Sequence, residues 1–168
     1  MSLQHILEKL EHVTKKVLET IVFLLFALMT VLTFAQVFTR FFLNISLSWS
    51  EELARFTLVW LIFTASILTY GERIHIAVDV LTNKLTGMTG TIVQLANRVC
   101  VLAFCLAVIL GAVEFLPITN LQKSPACGVM MSYVYVSIPI SMAFMGIITL
   151  KEICAILRSR KHGKEDAA

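Results

Sequence analysis

Residues 48–70 read SWSEELARFTLVWLIFTASILTY, and this stretch decides what kind of protein the chain is. An apolar run of about 20 residues is what an α-helix needs to cross the hydrocarbon core of a bilayer. Two adjacent carboxylates lie at its start, where the N-terminal end of a helix favours negative charge. The pattern predicts a membrane-spanning helix over about 51–70.

The same kind of apolar run recurs along the whole chain. Its 168 residues are 58% hydrophobic and only 15% charged, whereas a soluble domain carries about 25% charged residues. The apolar residues collect in four blocks, with most charges between them or at the ends. We therefore predict an all-α membrane protein, a single membrane domain over 1–168. The predicted spans are about 17–38, 51–70, 90–116 and 131–157, with a bend at Pro139 in the last.

Two charged segments place apolar residues at helical spacing. In residues 1–16, Leu3, Leu7 and Leu10 share one face, and charged residues fill the other. Residues 74–85, between the second and third spans, show the same arrangement. Helices of this kind lie in the membrane interface, so we predict an amphipathic surface helix at each segment. Residues 158–168 are predicted to form a polar cytoplasmic tail.

Lysine and arginine are divided unevenly between the two sides of the membrane. The N-terminus, the connection between spans two and three, and the C-terminal end together hold ten of them. The opposite side holds two, Arg40 and Lys123. Because cytoplasmic loops are enriched in Lys and Arg, both termini of this multi-pass membrane protein are predicted to face the cytoplasm.

The charged start of the second span has a local explanation and a functional one. Ser48 and Glu51 have the spacing of a capping box, and Trp49 suits the headgroup level. Arg55 lies three and four residues after Glu52 and Glu51, so it is expected to pair with one of them. An arginine one turn inside a span is costly in lipid. We expect the cluster to face protein, either another span or a partner subunit.

Few other residues suggest chemistry. All four histidines lie outside the spans, and no nucleotide-binding loop, catalytic triad or pair of cysteines at C-x-x-C spacing is present. His75 and Asp79 share a helix face, but a surface hydrogen bond or partner contact explains them better than a metal. We expect no enzyme activity, cofactor, metal site or nucleic-acid partner.

Three segments carry a resemblance to a known family. They are RFFLNISLSWSEELARFTLVW at 40–60, GERIHIAVDVL at 71–81, and the SPACG turn at 124–128 with the later Pro139. The chain resembles the DctQ-like small membrane subunits of tripartite ATP-independent periplasmic (TRAP) transporters over nearly its whole length. One departure is FTASILTYG at 63–71, where the family often has a glycine-containing stretch.

This resemblance implies a function, its partners and a location in the bacterial inner membrane. Such a subunit works with a large membrane subunit and a periplasmic substrate-binding protein, in a lipid bilayer, to import an organic acid such as sialic acid or a C4-dicarboxylate. The driving force is an ion gradient, commonly sodium, and the small subunit is a static scaffold. Candidate residues for subunit contact or structural support are Trp49, Glu51, Glu52, Arg55, Trp60, Arg73, His75 and Asp79. Candidates for contact with the binding protein are Arg40 and Lys123.

Two other classes of protein share the same composition. A self-assembling small proton-coupled exporter would use Glu19 or Glu114 as its proton site, since carboxylates in spans are often functional. An assembly or signalling protein of the membrane would have no large transporting partner. Transport by this chain alone favours the first, and the absence of a large-subunit partner in purification favours the second.

Overall fold

The computed structural model describes residues 3–71 and 88–165. In these ranges the helices are α1 (Leu3–Phe38), α2 (Ser48–Gly71), α3 (Met88–Asn120), α4 (Ser132–Tyr135) and α5 (Ser137–Glu165). Four segments of helix in the described residues are long and apolar enough to cross a membrane, which confirms an all-α fold with four spans. The predicted surface helix at 74–85 and the candidate residues Arg73, His75 and Asp79 lie outside the described residues.

The first helix is longer than the predicted first span. Leu3–Phe38 is one helix of 36 residues, with no break between 1–16 and 17–38. At ~1.5 Å per residue it is about 54 Å long, whereas the hydrocarbon core is ~30 Å thick. A surface-lying helix would need a bend near residue 17, and the segment contains no glycine or proline to supply one. The N-terminal amphipathic segment and the first span therefore form one continuous helix, and the interfacial position of residues 1–16 stays a prediction.

The end of α1 leads directly into a tight connection. A π-helical turn, Thr39–Leu43, continues the helix, and Asn44 follows in the left-handed conformation with φ 51°. The N–H groups of Asn44 and Ile45 both donate to the Thr39 carbonyl. The chain then reverses, and α2 begins at Ser48, so α1 and α2 form an antiparallel pair.

The two prolines near the outer ends of the helices have different effects. We use "outer" for the end of the molecule that carries the 44–47 and 121–131 connections. The third span was expected to stop before Pro117, but α3 continues through Pro117 to Asn120. The fourth span is interrupted at Val136, between α4 and α5. A proline ring collides with the carbonyl four residues earlier, which for Pro139 is that of Tyr135, so the interruption falls where the sequence predicts a bend.

The helices form an open row instead of a closed bundle. Within the described residues, α1 packs only against α2 and its own π turn, α2 packs against α5, and α5 packs against α3. The order across the row is therefore α1, α2, α5, α3. The short α4 contacts α2, α3 and α5 at the outer end. Both edge helices, α1 and α3, leave one whole side without a partner among the described residues.

Small polar residues line the contacts between the central helices. Ser50, Thr57 and Thr64 recur every seven residues on α2 and are buried, as are Ser141 and Thr149 on α5. The hydroxyl groups of Thr57, Ser141 and Thr149 donate to carbonyls within their own helices, those of Leu53, Ser137 and Met145, each at 2.8 Å. Small residues let helices approach closely in lipid, where apolar burial gives little association energy.

Two polar contacts join the helices at the other, inner end. The hydroxyl groups of Tyr70 on α2 and Thr149 on α5 lie 2.8 Å apart and are buried. Arg98 on α3 forms an ion pair with Glu152 on α5 at 3.0 Å, and these side chains are only 18% and 11% exposed. Neither contact is predicted by the sequence, because the partners lie on different helices. Together they tie the inner ends of α2, α3 and α5.

Candidate functional site

The candidate functional site is a cluster at the outer end, which we call the outer clasp. It consists of Trp49 and Glu52 from the start of α2, and Ser124, Ala126 and Cys127 from the turn between α3 and α4. More than seventy residues separate the two parts in sequence. Four residues at the start of α2 were singled out from the sequence: Trp49, Glu51, Glu52 and Arg55. The clasp contains two of them, the carboxylate Glu52 and the aromatic residue Trp49.

The turn at 124–128 is built by its own backbone. The Gly128 N–H donates to the Ser124 carbonyl at 2.9 Å, and the Ser124 N–H donates to the Val129 carbonyl at 2.9 Å. Gly128 has φ +67°, a left-handed conformation that residues with a Cβ rarely adopt. A single antiparallel bridge between Lys123 and Met130 closes the base of the turn. In the resulting turn, the backbone N–H groups of Ala126 and Cys127 point to the same side.

The Glu52 carboxylate occupies that side of the turn. It accepts hydrogen bonds from the Ser124 hydroxyl, from the Ala126 N–H at 3.1 Å and from the Cys127 N–H at 3.0 Å. Consecutive backbone N–H groups in a turn form a concave site that favours an anion. Here the anion is a side chain of the same protein, so the carboxylate fixes the turn onto the start of α2.

Cys127 adds a second connection to α2. Its thiol donates to the Trp49 carbonyl at 3.2 Å, and its N–H lies 3.2 Å from the Ser124 hydroxyl oxygen. Burial against the turn raises the pKa of the Cys127 thiol, and the nearby negative charge of Glu52 raises it further. Because the thiolate is the reactive form of cysteine, this environment favours an unreactive, structural thiol.

Aromatic contacts support the same end of the molecule. The indole N–H of Trp60 on α2 donates to the Tyr133 carbonyl of α4 at 3.3 Å. The Phe115 ring of α3 packs edge-on against the Tyr135 ring of α4, with ring centroids 5.4 Å apart. Trp60 was a predicted structural candidate, and the structure places it at a contact between two helices.

Two expectations for the start of α2 are wrong. The Glu51 N–H donates to the Leu47 carbonyl at 3.3 Å, as in an ordinary helical turn, and the hydroxyl that bonds to Leu47 belongs to Ser50. The capping box between Ser48 and Glu51 is therefore absent. Among the described residues, Arg55 pairs with neither Glu51 nor Glu52. The Glu52 carboxylate instead accepts hydrogen bonds from three donors of the 124–128 turn. Arg55 would offer it only an exposed ion pair, which contributes little stability.

The remaining charged candidates are exposed. Glu51 and Arg55 lie on the uncovered side of α2, Arg40 lies in the π turn, and Lys123 lies just before the clasp turn. Glu19 pairs with Lys15 at 3.9 Å, and Glu114 is exposed on α3. The described residues hold no group of three or more metal-binding side chains.

The sequence contained both halves of the clasp, but not the contact between them. Glu52 and the SPACG turn were each recognised as distinctive segments. A carboxylate at a helix start and a turn rich in backbone donors are the two signals that could have suggested the pairing. The arrangement has the properties of a structural joint, since its donors and acceptors are occupied by one another.

Comparison with known proteins agrees with the fold. The family model of the DctQ component of tripartite ATP-independent periplasmic transporters matches residues 29–159. A TRAP transporter small permease protein of Haemophilus influenzae is 29% identical over 152 residues, covering 82% of this chain and 94% of the relative. The C4-dicarboxylate TRAP transporter small permease protein DctQ of Vibrio cholerae is 26% identical over 123 residues, 67% of this chain and 53% of the relative.

A further relative differs in its length. The isethionate TRAP transporter permease protein DctMQ of Oleidesulfovibrio alaskensis is 26% identical over 112 residues, which are 66% of this chain but only 18% of that protein. The similar region is therefore a small part of a much longer polypeptide. With four membrane-capable helices and a family match over most of its length, this chain belongs to the DctQ component family of TRAP transporters, as a small permease subunit.

Proposed function

We propose that this chain is the static scaffold subunit of an ion-gradient-driven importer of an organic acid. The observation that carries the proposal is the use of its polar side chains between helices. Glu52 holds the outer turn, Tyr70 meets Thr149, and Arg98 pairs with Glu152. These groups hold helices to one another, which suits a part that must stay fixed while a partner moves.

The partners follow from the family. A large membrane subunit carries the substrate and the coupling ion, for which we propose sodium, and a periplasmic binding protein delivers the substrate. The long DctMQ relative supports this, because its name joins two components in one polypeptide. Both termini of this chain face the cytoplasm in the proposed orientation, which places the outer clasp on the periplasmic side.

The substrate class is a small organic anion. The relatives' names give a C4-dicarboxylate and isethionate, which are both small and anionic. Sialic acid, also an organic acid, belongs to the same proposed class. Because we assign the substrate site to the large subunit, substitutions in this chain are expected to change transport rate or assembly without changing which anion is transported.

The exposed charges of the outer half are proposed contact residues. Glu51 and Arg55 are candidates for the junction with the large subunit, and Arg40 and Lys123 are candidates for the binding protein. Their exposure supports these roles, because no helix in residues 3–71 and 88–165 covers any of them. Arg73, His75 and Asp79 remain proposed subunit contacts.

Co-purification and uptake test the proposed function together. The tagged chain, co-expressed with its large subunit, is expected to recover that subunit from mild detergent, and uptake of the organic acid is expected to require both. The Arg55→Ala variant is expected to weaken recovery, while Arg55→Lys retains most of it. If the wild-type chain recovers no large subunit, or uptake proceeds without it, the scaffold function is wrong.

A further inference from the structure

Contacts between helices show which residues lie at the same height across the row. At the inner end, Tyr70 on α2 meets Thr149 on α5, and Arg98 on α3 meets Glu152 on α5. Thr149 and Glu152 are less than one turn apart on the same helix. The four residues therefore define one height in the molecule, which we call the inner level.

Other contacts define a second height at the outer end. The Ser132 hydroxyl, at the start of α4, donates to the Asn120 side chain at the end of α3 at 2.9 Å. The Glu52 carboxylate of α2 accepts hydrogen bonds from backbone N–H groups of the turn that joins these two helices. Asn120, Ser132 and Glu52 therefore lie at about one height, which we call the outer level.

The two levels are separated by the thickness of a bilayer core. At ~1.5 Å per residue, α3 rises about 33 Å from Arg98 to Asn120, and α2 rises about 27 Å from Glu52 to Tyr70. The hydrocarbon core of a bilayer is about 30 Å thick. The inner and outer levels therefore match the two faces of that core.

The charges of α1 agree with the same two levels. Arg40 and Glu51 are equally far along the chain from the 44–47 connection, in the two arms of an antiparallel pair, so Arg40 lies close to the outer level. Residues 20–39, which precede Arg40, contain no charged side chain and span about 30 Å. Glu19 comes directly before this stretch and lies close to the inner level.

Charged residues are rare between the levels. Arg55 on α2 and Glu114 on α3 lie there, both nearer the outer level than the inner one, and the helix segments between the levels hold no other charge. A charge inside hydrocarbon is costly, and less so near the edge of the core. The distribution of charge along the four spans is therefore the one expected for a bilayer core bounded by the two levels.

The residues at and just beyond the outer level are large and apolar or aromatic. Phe41 and Phe42, in the π turn, are 76% and 73% exposed, and Leu121, directly after the end of α3, is 86% exposed. Trp49 and Tyr133, also exposed, lie at the same end. Leaving such side chains in water is unfavourable, and tryptophan and tyrosine are enriched where a membrane meets water.

These side chains occur at both edges of the row. Phe41 and Phe42 follow α1, Leu121 follows α3, and α2 and α5 lie between those two helices. With neighbouring helix axes 8–10 Å apart, the edges are separated by about 25 Å. A protein docked on one edge would cover one of these groups, whereas a bilayer surrounds the molecule and meets both at one height. The nearby cations Arg40 and Lys123 are opposite in charge to phospholipid phosphate.

We propose that both outer connections are seated in the headgroup layer of the phospholipid bilayer, with Phe41, Phe42 and Leu121 in contact with lipid. The outer clasp accordingly lies at the membrane surface and does not stand above it in water. Arg40 and Lys123 at this height stay within reach of a protein that approaches the membrane. The inference concerns the position of the outer end in the bilayer and does not rest on the scaffold function.

Nitroxide labels measure this position in the full-length chain. They are attached through an unnatural amino acid at Phe41, Leu121 and Leu28, so the natural cysteines stay in place, and all three native side chains are exposed. Collision rates with oxygen and with a water-soluble nickel chelate give the depth of each label in phospholipid vesicles. The labels at Phe41 and Leu121 are expected in the headgroup layer, which is about 5–7 Å thick, and the label at Leu28 about 15 Å deeper.

The same labels in the co-expressed complex with the large subunit, with binding protein added, distinguish lipid from a protein partner. Unchanged collision rates at Phe41 and Leu121 support contact with lipid. The proposal is overturned if either label meets the nickel chelate as freely as in water, lies as deep as the label at Leu28, or is shielded from both collision partners once the other proteins are present. Each of these results leaves the scaffold function to be decided by co-purification and uptake.

Discussion

The Glu52 carboxylate accepts a hydrogen bond from the backbone N–H of Cys127 at 3.0 Å, although 75 residues separate them in sequence. With the Ser124 and Ala126 donors, this contact fixes the outer turn to the start of α2. The turn and α2 belong to opposite halves of the chain. The attachment of the turn to α2 therefore rests mainly on this one carboxylate.

Loss of this carboxylate is expected to release the turn. Lys123 is exposed just before the turn, and its peptide bond to Ser124 is a trypsin site. Because proteolysis follows the population of opened turn, Glu52→Ala should speed cleavage at Lys123 on the order of tenfold. Glu51→Ala, which removes an exposed carboxylate one residue away, is the control. Equal cleavage rates in the two variants would show that Glu52 does not hold the turn.

The Cys127 thiol provides a pH-dependent test of the same contact. Burial and the Glu52 charge raise the pKa of the thiol, so it stays protonated to a higher pH than an ordinary cysteine, and alkylation is slow until then. Removing the charge in Glu52→Gln should lower this pKa and move the rise in alkylation rate to lower pH. Mass spectrometry assigns the label to Cys127. If the alkylation rate of Glu52→Gln rises with the same midpoint pH as the wild type, and only its maximal value differs, the substitution has changed the access of the reagent to Cys127 and not the pKa of the thiol.

The inner ion pair is expected to behave as a mostly buried pair. Arg98→Met leaves the Glu152 carboxylate without its arginine in a largely desolvated position, and should destabilise the fold by about 3 kcal/mol. Arg98→Met combined with Glu152→Met removes both charges and should recover most of that loss. Thermal unfolding in detergent measures the series. A double variant no more stable than the single one would contradict the pairing as the source of the effect.

The sequence alone predicts features set by neighbouring residues better than contacts between residues far apart along the chain. The four spans follow from hydropathy, and the interruption near Pro139 follows from the proline ring. The continuity of α1 does not follow from the sequence, because an amphipathic pattern does not show whether such a segment bends before the span that follows it. The capping box was wrongly predicted because helical spacing shows that Ser48 and Glu51 are near each other, and not that the Glu51 N–H donates to the Leu47 carbonyl instead.

The site was harder to predict for a related reason. Glu52 has a neighbour of opposite charge at helical spacing, Arg55, and a better set of donors 72 to 75 residues later. The spacing of residues along one helix reveals only the possible ion pair with Arg55, and not the donors of the distant turn. Arg98 and Glu152 were similarly hidden, because they lie on different helices and only the packing of α3 on α5 brings them together.

Charge reversal on the outer surface tests the proposed contact with the binding protein. Arg40→Glu or Lys123→Glu should raise the concentration of loaded binding protein needed for half-maximal uptake on the order of tenfold at low salt, with less effect at high salt. Maximal uptake should change little. Lys16→Glu, on the proposed cytoplasmic side, is the control. A change of the same size in the control variant, or no change in either outer variant, would remove Arg40 and Lys123 from that interface.

Reconstitution into vesicles tests the central claim most directly. The purified chain alone is predicted to carry no organic acid and no protons under an imposed ion gradient. Vesicles that also contain the large subunit, supplied with loaded binding protein, are predicted to accumulate the substrate. Sustained flux from the chain alone, abolished by Glu114→Gln or Glu19→Gln, would contradict the scaffold account and identify a self-sufficient exporter.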